Sequence, residues 1–262
     1  MIKKKDGFTL VFTFAGGVML LFIIAPLLGM FFQSSIPQLQ STLSDSEVTQ
    51  SIYITIIASM GATLALGFFA IPLAYLVSRS RSRWKSLING VLDLPIVIPH
   101  SAAGIALLGV LSKNGIIGKP LSAIGIDFVS TTLGISIAMA FVSVPYLYNA
   151  ARIGFENVPE RLEKAAYTLG ASPKRTFFSI ALPMAWRSLL SGFVMMFARG
   201  MSEFGAVIIV AYHPMTTPVL IFERFSAFGL KYAQPVAVVF ITICLLLFVA
   251  IRLLNKRNHD RS

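Results

Sequence analysis

Two residues of opposite charge lie within an apolar run between about residues 189 and 212. The run contains Arg199 and Glu203, four positions apart. Residues four apart share one face of a helix, so the two side chains can form an ion pair. Charges surrounded by apolar sequence are costly and generally face a bundle interior or a cavity. The pair is therefore either part of a polar pathway or gate, or a structural pair that fixes helix packing.

A second apolar run, about residues 86–111, holds two further polar candidates, Asp93 and His100. We expect Asp93 to form a structural ion pair with basic residues near the start of the run, which are Arg81, Arg83 and Lys85. His100 is expected to hydrogen-bond or pack. Pro95 and Pro99 predict a kink, because proline lacks the N–H that an uninterrupted helix requires.

Motifs of enzyme chemistry are absent from the sequence. No phosphate-binding Gly-x-x-x-x-Gly-Lys-Ser/Thr pattern occurs, and the segment 115–120 is only a partial echo of it. A serine protease would need a Gly-x-Ser-x-Gly-like turn, but Ser136 is followed by Ile137 and Ala138. A single cysteine, Cys244, excludes a cysteine-rich metal site. We predict no catalytic residue, metal or cofactor, and keep an intramembrane protease as a remote alternative.

Composition indicates a membrane protein. Hydrophobic residues make up 56% of the 262 residues and charged residues 13%, about half the share in soluble proteins, which is about 25%. A membrane-spanning helix needs about 20 mostly apolar residues, and six runs qualify. They cover about 8–32, 51–77, 86–111, 130–151, 189–212 and 233–251. The first run is too long for a signal-peptide core. The sequence thus predicts an all-α integral membrane fold with six spans.

Lysine and arginine are distributed unequally between the two sets of loops. Seventeen of the 22 lie in the first segment, the loops near 79–85 and 152–187, and the last segment, against four in the opposite loops. Positive loops stay in the cytoplasm, which predicts cytoplasmic N- and C-termini. The net charge of +11 is thereby explained by topology, and no nucleic-acid partner is expected.

The most informative loop is the stretch 157–183, within a predicted cytoplasmic loop at 152–187. Pro159 suits the first position of a helix, Gly170 suits its left-handed end, and Ser172 can cap a second helix that opens at Pro173. An apolar face of the first helix is predicted at Leu162, Ala165, Ala166 and Leu169. In the second helix, Phe177, Phe178 and Ile180 are expected to turn inward. An amphipathic hairpin lying on the membrane would have the same periodicity.

This loop resembles the cytoplasmic "EAA" loop of ABC importer permeases. The matching residues are Ala165, Ala166, Leu169, Gly170, Ala171, Phe177, Ile180, Leu182 and Pro183. The family's glutamate position holds Lys164, and Glu163 lies one residue earlier. The resemblance implies a type I ABC importer permease fold in which residues 163–171 couple to an ATPase subunit. It covers roughly residues 51–254.

Further segments resemble the molybdate, tungstate and sulfate branch of these permeases. They are Leu94–Gly104, Ala198–Ala206 and Ala211–Phe225. The resemblance implies import of a tetrahedral oxyanion, most closely molybdate or tungstate, with sulfate or thiosulfate as the alternative. For Arg199 and Glu203 we prefer the structural alternative, because a dianion pathway should not also present a free carboxylate.

The domain organisation follows from these assignments. Residues 1–50 are a first span with an external loop, residues 51–254 the permease domain, and residues 255–262 a cytoplasmic tail. One docking loop per chain predicts a homodimer. The resemblance also implies two cytoplasmic ATPase subunits, an extracellular oxyanion-binding protein and a location in the cell membrane.

Overall fold

The computed structural model describes residues 7–257, and every regular element in that range is helical. In chain order these are α1 (Gly7–Phe32), α2 (Ile36–Ser44), α3 (Ser46–Arg79), α4 (Trp84–Val97), α5 (His100–Leu111), α6 (Gly118–Ser122), α7 (Thr132–Glu156), α8 (Glu160–Thr168), α9 (Pro173–Thr176), a π-helical turn (Phe177–Ala181), α10 (Leu182–Met201), α11 (Val207–Val210), α12 (Thr217–Phe228) and α13 (Leu230–Arg257). The predicted all-α class is confirmed. The predictions for Lys3 to Lys5 and for tail residues 258–262 lie outside the described residues.

Five helical segments are long and apolar enough to cross a bilayer unbroken. They are Gly7–Phe32, Ser46–Arg79, Thr132–Glu156, Pro173–Met201 and Leu230–Ala250. The remaining predicted span, the third at about 86–111, corresponds to α4 and α5 together, which have 14 and 12 residues. Each alone reaches only about 20 Å, short of the ~30 Å hydrocarbon core. The two helices bend by 109° where they meet, so this span is broken.

The break lies at Ile98 and Pro99 and is sharper than the predicted kink. Ile98 has extended backbone angles, with φ −73° and ψ 144°. The residue before a proline is disfavoured in the helical region, and Pro99 has no N–H with which to continue the helix. A new helix therefore starts at His100 in a different direction.

The fifth span has other bounds than the predicted 189–212. Its helix begins at Pro173 and ends at Met201, and residues 202–206 are not helical. Glu203 stabilises the non-helical segment that ends the helix, because its Oε1 accepts a hydrogen bond of 2.9 Å from the Ala206 N–H. Glu203 thus lies beyond the helix that carries Arg199.

Small residues let α3, α7 and α10 pack closely. A methyl group built on Gly154 of α7 would lie 2.5 Å from Ser188 Cβ of α10. Between α10 and α3, the buried Ser59 Oγ donates a hydrogen bond of 2.8 Å to the Phe197 carbonyl. Close backbone approach through small residues is the usual way helices associate in lipid. By contrast, α1 lies beside α13 and buries none of its own residues.

Ion pairs lie at both ends of the bundle. Each pair joins two segments that the charge pattern assigns to the same side of the membrane. One end holds Arg79–Glu163 and Lys85–Glu156, and the other holds Arg224–Asp45 and Lys113–Asp127. Asp45 also caps α3, and its hydrogen bond from Arg224 lowers the pKa of that carboxyl.

The packing of α7 against α10 gives a first prediction. Gly154→Ala should destabilise the protein by about 1–3 kcal/mol, because its methyl group would overlap Ser188 Cβ. The matched control is Gly17→Ala in α1, where nothing lies within 4 Å of the added methyl group. Thermal unfolding in detergent should show a lower midpoint for Gly154→Ala alone. Equal midpoints for the two variants would contradict this packing.

Candidate coupling loop and membrane ion cluster

The loop between α7 and α10 has the start and stop signals that its sequence predicts. Pro159 precedes α8, and Gly170 follows it with a φ of +81°, a conformation in which glycine is favoured. Ser172 then caps α9 by accepting a hydrogen bond of 3.3 Å from the Arg175 N–H.

The second predicted helix of the loop is not a separate short helix. It continues from Pro173 through the π-helical turn into α10. Pro183 explains the turn, because it lacks an N–H and its ring would clash with the carbonyl four residues earlier. The Leu182 N–H instead bonds to the Phe177 carbonyl, five residues back.

The apolar face of α8 points away from the rest of the chain. Leu169 is 88% exposed and Leu162 is 38% exposed, while Ala165 is exposed and Ala166 half-buried. These residues form a small, shallow apolar surface that is open to another molecule. In the second half of the loop, Phe177 packs on Tyr75 with ring centroids 4.9 Å apart, but Phe178 is exposed, so its predicted inward orientation is wrong.

The opposite side of α8 is fixed to the membrane bundle by Glu163. This side chain is buried, with Oε1 2.5 Å from Arg79 Nη2 and 3.1 Å from Arg79 Nε. The Tyr75 hydroxyl donates a hydrogen bond of 3.2 Å to Oε2. Arg79 Nη2 also donates to the Val158 carbonyl at 3.2 Å. A forked guanidinium–carboxylate contact is among the strongest side-chain interactions, so α8 is held to the last turn of α3.

Lys164 has the opposite orientation. Its ammonium is largely exposed and lies 3.0 Å from Glu160 Oε2 within α8. Lys164, at the family's glutamate position, thus faces outward, and Glu163, one residue earlier, faces the chain's own core. Arg79 and Tyr75 were not predicted as partners of Glu163, although Arg79 is the first basic residue after the second span.

The second group of charges forms a cluster of three residues, which we call the ion cluster: His100, Arg199 and Glu203. Arg199 Nη2 and His100 Nδ1 each lie 3.0 Å from Glu203 Oε2. Neither contact is aligned as a hydrogen bond to Oε2, whereas Oε1 is bonded to the Ala206 N–H. Arg199 Nη2 is also 2.9 Å from His100 Nδ1. The predicted pairing of Arg199 with Glu203 is present, and His100 is the member that the sequence did not connect to it.

Burial within the ion cluster is uneven. The side chain of Glu203 is 1% exposed, that of Arg199 21% and that of His100 35%. The carboxylate lies behind the two nitrogen-bearing groups. A buried carboxylate needs such partners, because an unpaired charge in an apolar interior is strongly unfavourable.

Asp93 does not pair with the basic residues near the start of α4, so that prediction is wrong. Its Oδ1 accepts a hydrogen bond of 2.7 Å from Asn149 Nδ2 of α7. Nearby, the Tyr148 hydroxyl donates a bond of the same length to Asn89 Oδ1. These two bonds fix α4 against α7 through polar contacts that hydropathy cannot reveal. Within residues 7–257, no group of His, Cys, Asp or Glu is arranged to hold a metal.

Solved structures of ABC importers share this fold. A bacterial ABC transporter involved in import of the acidic polysaccharide alginate superposes with a TM-score of 0.76 at 18% identity, over 97% of this chain and 96% of that one. An amino acid ABC transporter with histidines gives a TM-score of 0.58 at 15% identity, over 87% and 100% of the two chains. The fold is therefore that of an ABC importer permease, a multi-pass membrane protein.

Residues 68–260 match the family model described as "Binding-protein-dependent transport system inner membrane component", and the chain belongs to that family. The molybdate/tungstate transport system permease protein WtpB of Pyrococcus furiosus is 39% identical, over 99% of this chain and 100% of the relative. WtpB of Methanocaldococcus jannaschii is also 39% identical, over 90% and 92%. The sulfate transport system permease protein CysT of Salmonella typhimurium is 31% identical, over 94% and 93%.

Family membership distinguishes a transport subunit from an intramembrane enzyme. The chain is a transport subunit and not an enzyme, and ATP hydrolysis belongs to a separate subunit. The intramembrane protease alternative is thereby overturned.

The Arg79–Glu163 pair gives a second prediction. Glu163→Gln should weaken the attachment of α8 by about 1.5–3 kcal/mol, the usual contribution of hydrogen bonds to a charged group. The matched control is Glu160→Gln, also on α8, whose exposed pair with Lys164 contributes less than ~1 kcal/mol. Hydrogen exchange of residues 160–169 should be roughly tenfold faster in Glu163→Gln than in the control. Equal exchange in both variants would show that the pair does not hold α8.

Proposed function

We propose that this chain is the permease subunit of an ATP-driven importer for molybdate or tungstate. The observation that carries the proposal is the 39% identity to molybdate/tungstate permeases over nearly the whole length of both chains. Sulfate is the second candidate, supported by sulfate permeases 30–31% identical over 94% of this chain. Both substrates are tetrahedral dianions, so the two candidates differ in ion and not in the class of chemistry.

The proposed topology places both termini in the cytoplasm. The distribution of lysine and arginine supports it. The end of the bundle that holds α8, Arg79 and Lys85 is then cytoplasmic, and the end that holds Asp45 and Arg224 is external.

The proposed coupling surface is the exposed face of α8 and its C-terminal end. It comprises Ala165, Ala166, Leu169, Gly170 and Ala171, with Lys164 at its edge. Small side chains allow a partner surface to approach closely, and a protruding leucine can enter a pocket on that partner. Glu163 takes part differently, because it faces Arg79. We propose that it transmits displacement of α8 to α3 and does not itself contact the ATPase.

The proposed assembly contains two copies of this chain, two cytoplasmic ATPase subunits and an external oxyanion-binding protein. A paired ATPase needs two docking loops, and each chain supplies one. A permease of similar fold belongs to a transporter solved in complex with a periplasmic protein carrying an alginate pentasaccharide. Closure of the ATPases on ATP would draw the two loops together and open the pathway outward, and hydrolysis would restore the inward-facing state.

The substrate proposal is tested with the permease, its ATPase and its binding protein reconstituted in liposomes. We expect uptake of molybdate and tungstate, with sulfate at equal concentration imported at least roughly tenfold more slowly, a difference of about 1.4 kcal/mol. Faster sulfate uptake would favour the second candidate. Uptake of an uncharged sugar or an amino acid instead of any oxyanion would contradict the proposal.

The coupling surface is tested with Leu169→Asp. A buried carboxylate in an apolar contact is costly, so this variant should retain much less ATPase on co-purification and transport less substrate. The matched control is Ile116→Asp, because Ile116 is also 88% exposed but lies in a loop at the other end of the bundle. The control should retain the ATPase at the level of the unmodified chain. Loss of ATPase from neither variant would contradict the assignment of α8 as the docking surface.

A further inference from the structure

The ion cluster is arranged with its positive group toward the outside of the chain. Glu203 is fully buried, whereas Arg199 and His100 are partly exposed. A dianion pathway should not present a free carboxylate, and the Glu203 carboxylate is not presented, because it is buried and paired. An approaching anion would meet the guanidinium and the imidazole first.

The cluster lies deep within the membrane region. Gly200, next to Arg199, packs against Ser59 of α3, where an added methyl group would be 2.5 Å from Ser59 Oγ. Ser59 is 13 residues beyond the start of α3 at Ser46, which corresponds to about 20 Å along the helix. Ionisable groups at such depth usually mark an ion pathway or pair with one another.

Hydroxyl groups lie on the exposed surface next to Arg199. Ser202, directly after α10, and Ser101, beside His100, are both exposed. Arg199 Nη1 donates a hydrogen bond of 3.3 Å to Ser202 Oγ. The exposed face of α3 instead carries large apolar side chains, among them Leu64, Phe68 and Leu76. Hydroxyl and guanidinium donors side by side suit a tetrahedral oxyanion.

We propose that Arg199, with His100 and Ser202, is a contact site for the oxyanion on its way through the membrane. Glu203 is the internal counter-ion of Arg199 when no oxyanion is present. This inference rests on the proposed function, because it requires an anionic substrate. A pathway site must attract an ion enough to admit it and weakly enough to release it. Glu203 meets the second requirement, since it keeps the site close to neutral and prevents the anion from being trapped.

A binding measurement separates this role from a purely structural one. Purified permease–ATPase complex without the binding protein is equilibrated with radiolabelled molybdate, and bound label is counted. Glu203→Gln should bind about tenfold more anion than the unmodified complex, because Arg199 loses its counter-ion. The added change Arg199→Gln should abolish that gain. A folded Glu203→Gln variant with unchanged anion binding would overturn the proposal.

Transport by the neutral double variant gives the second measurement. Arg199→Gln with Glu203→Gln leaves no unpaired charge, so a structural pair would be replaced without loss of uptake. We expect uptake about tenfold or more below that of the unmodified complex, with the thermal midpoint and ATPase retention preserved. Normal uptake by this variant would overturn the inference.

Two milder variants keep the inference testable if the double variant does not fold. Arg199→Lys retains the charge but loses the forked geometry, and Ser202→Ala alters only an exposed hydroxyl. Both should lower the maximal uptake rate at saturating loaded binding protein, and unchanged rates in both would overturn the inference. Failure of the unmodified complex to import any oxyanion would instead overturn the proposed function, so the two failures are distinguishable.

Discussion

The contact between Arg79 and Glu163 joins the loop outside the membrane to the helices inside it. The two residues are 84 positions apart in sequence, and two nitrogens of the guanidinium bind one carboxylate. Tyr75 and the Val158 carbonyl complete this contact, so it leaves little freedom for α8 to move without α3. Since α3 is in turn packed against α7 and α10 through small residues, a force applied to α8 reaches the whole bundle. Rigid-body movement of this kind is what alternating access requires.

Two interruptions of the membrane helices lie against each other. Gly205, in the non-helical segment after α10, approaches His100 so closely that an added methyl group would lie 2.8 Å from its Cβ. Non-helical backbone at membrane depth is tolerated only where protein buries it or where it lines a cavity. The Glu203 carboxylate satisfies one of the freed N–H groups, that of Ala206. The broken third span, the early end of the fifth span and the ion cluster are therefore one structural unit.

The sequence predicted what depends on local chemistry. Run length and missing charge located the spans, and Pro159, Gly170 and Ser172 placed the boundaries of α8 and α9. It did not predict which side of α8 is covered, because periodicity identifies a face but not its partner, and Arg79 is remote in sequence. It also missed the end of the fifth span at Met201, since the apolar residues of α11 continue the hydropathy signal past the break. The 109° bend at Pro99 exceeds the predicted kink because the extended Ile98 also changes direction.

Two buried glutamates in the described part of the chain are paired with arginine, and their geometries differ in a way that suits different tasks. Arg79 directs both Nε and Nη2 at Glu163, a closed arrangement that resists exchange. Arg199 approaches Glu203 through Nη2 alone, without hydrogen-bond alignment. That Nη2 is hydrogen-bonded to the His100 ring at 2.9 Å, and Nη1 donates to Ser202 at 3.3 Å. Guanidinium donors that are not fully committed can turn to an oxyanion without first breaking a forked pair. The same two residue types thus form a closed attachment at one end of the bundle and, in the proposed pathway site, an exchangeable contact within it.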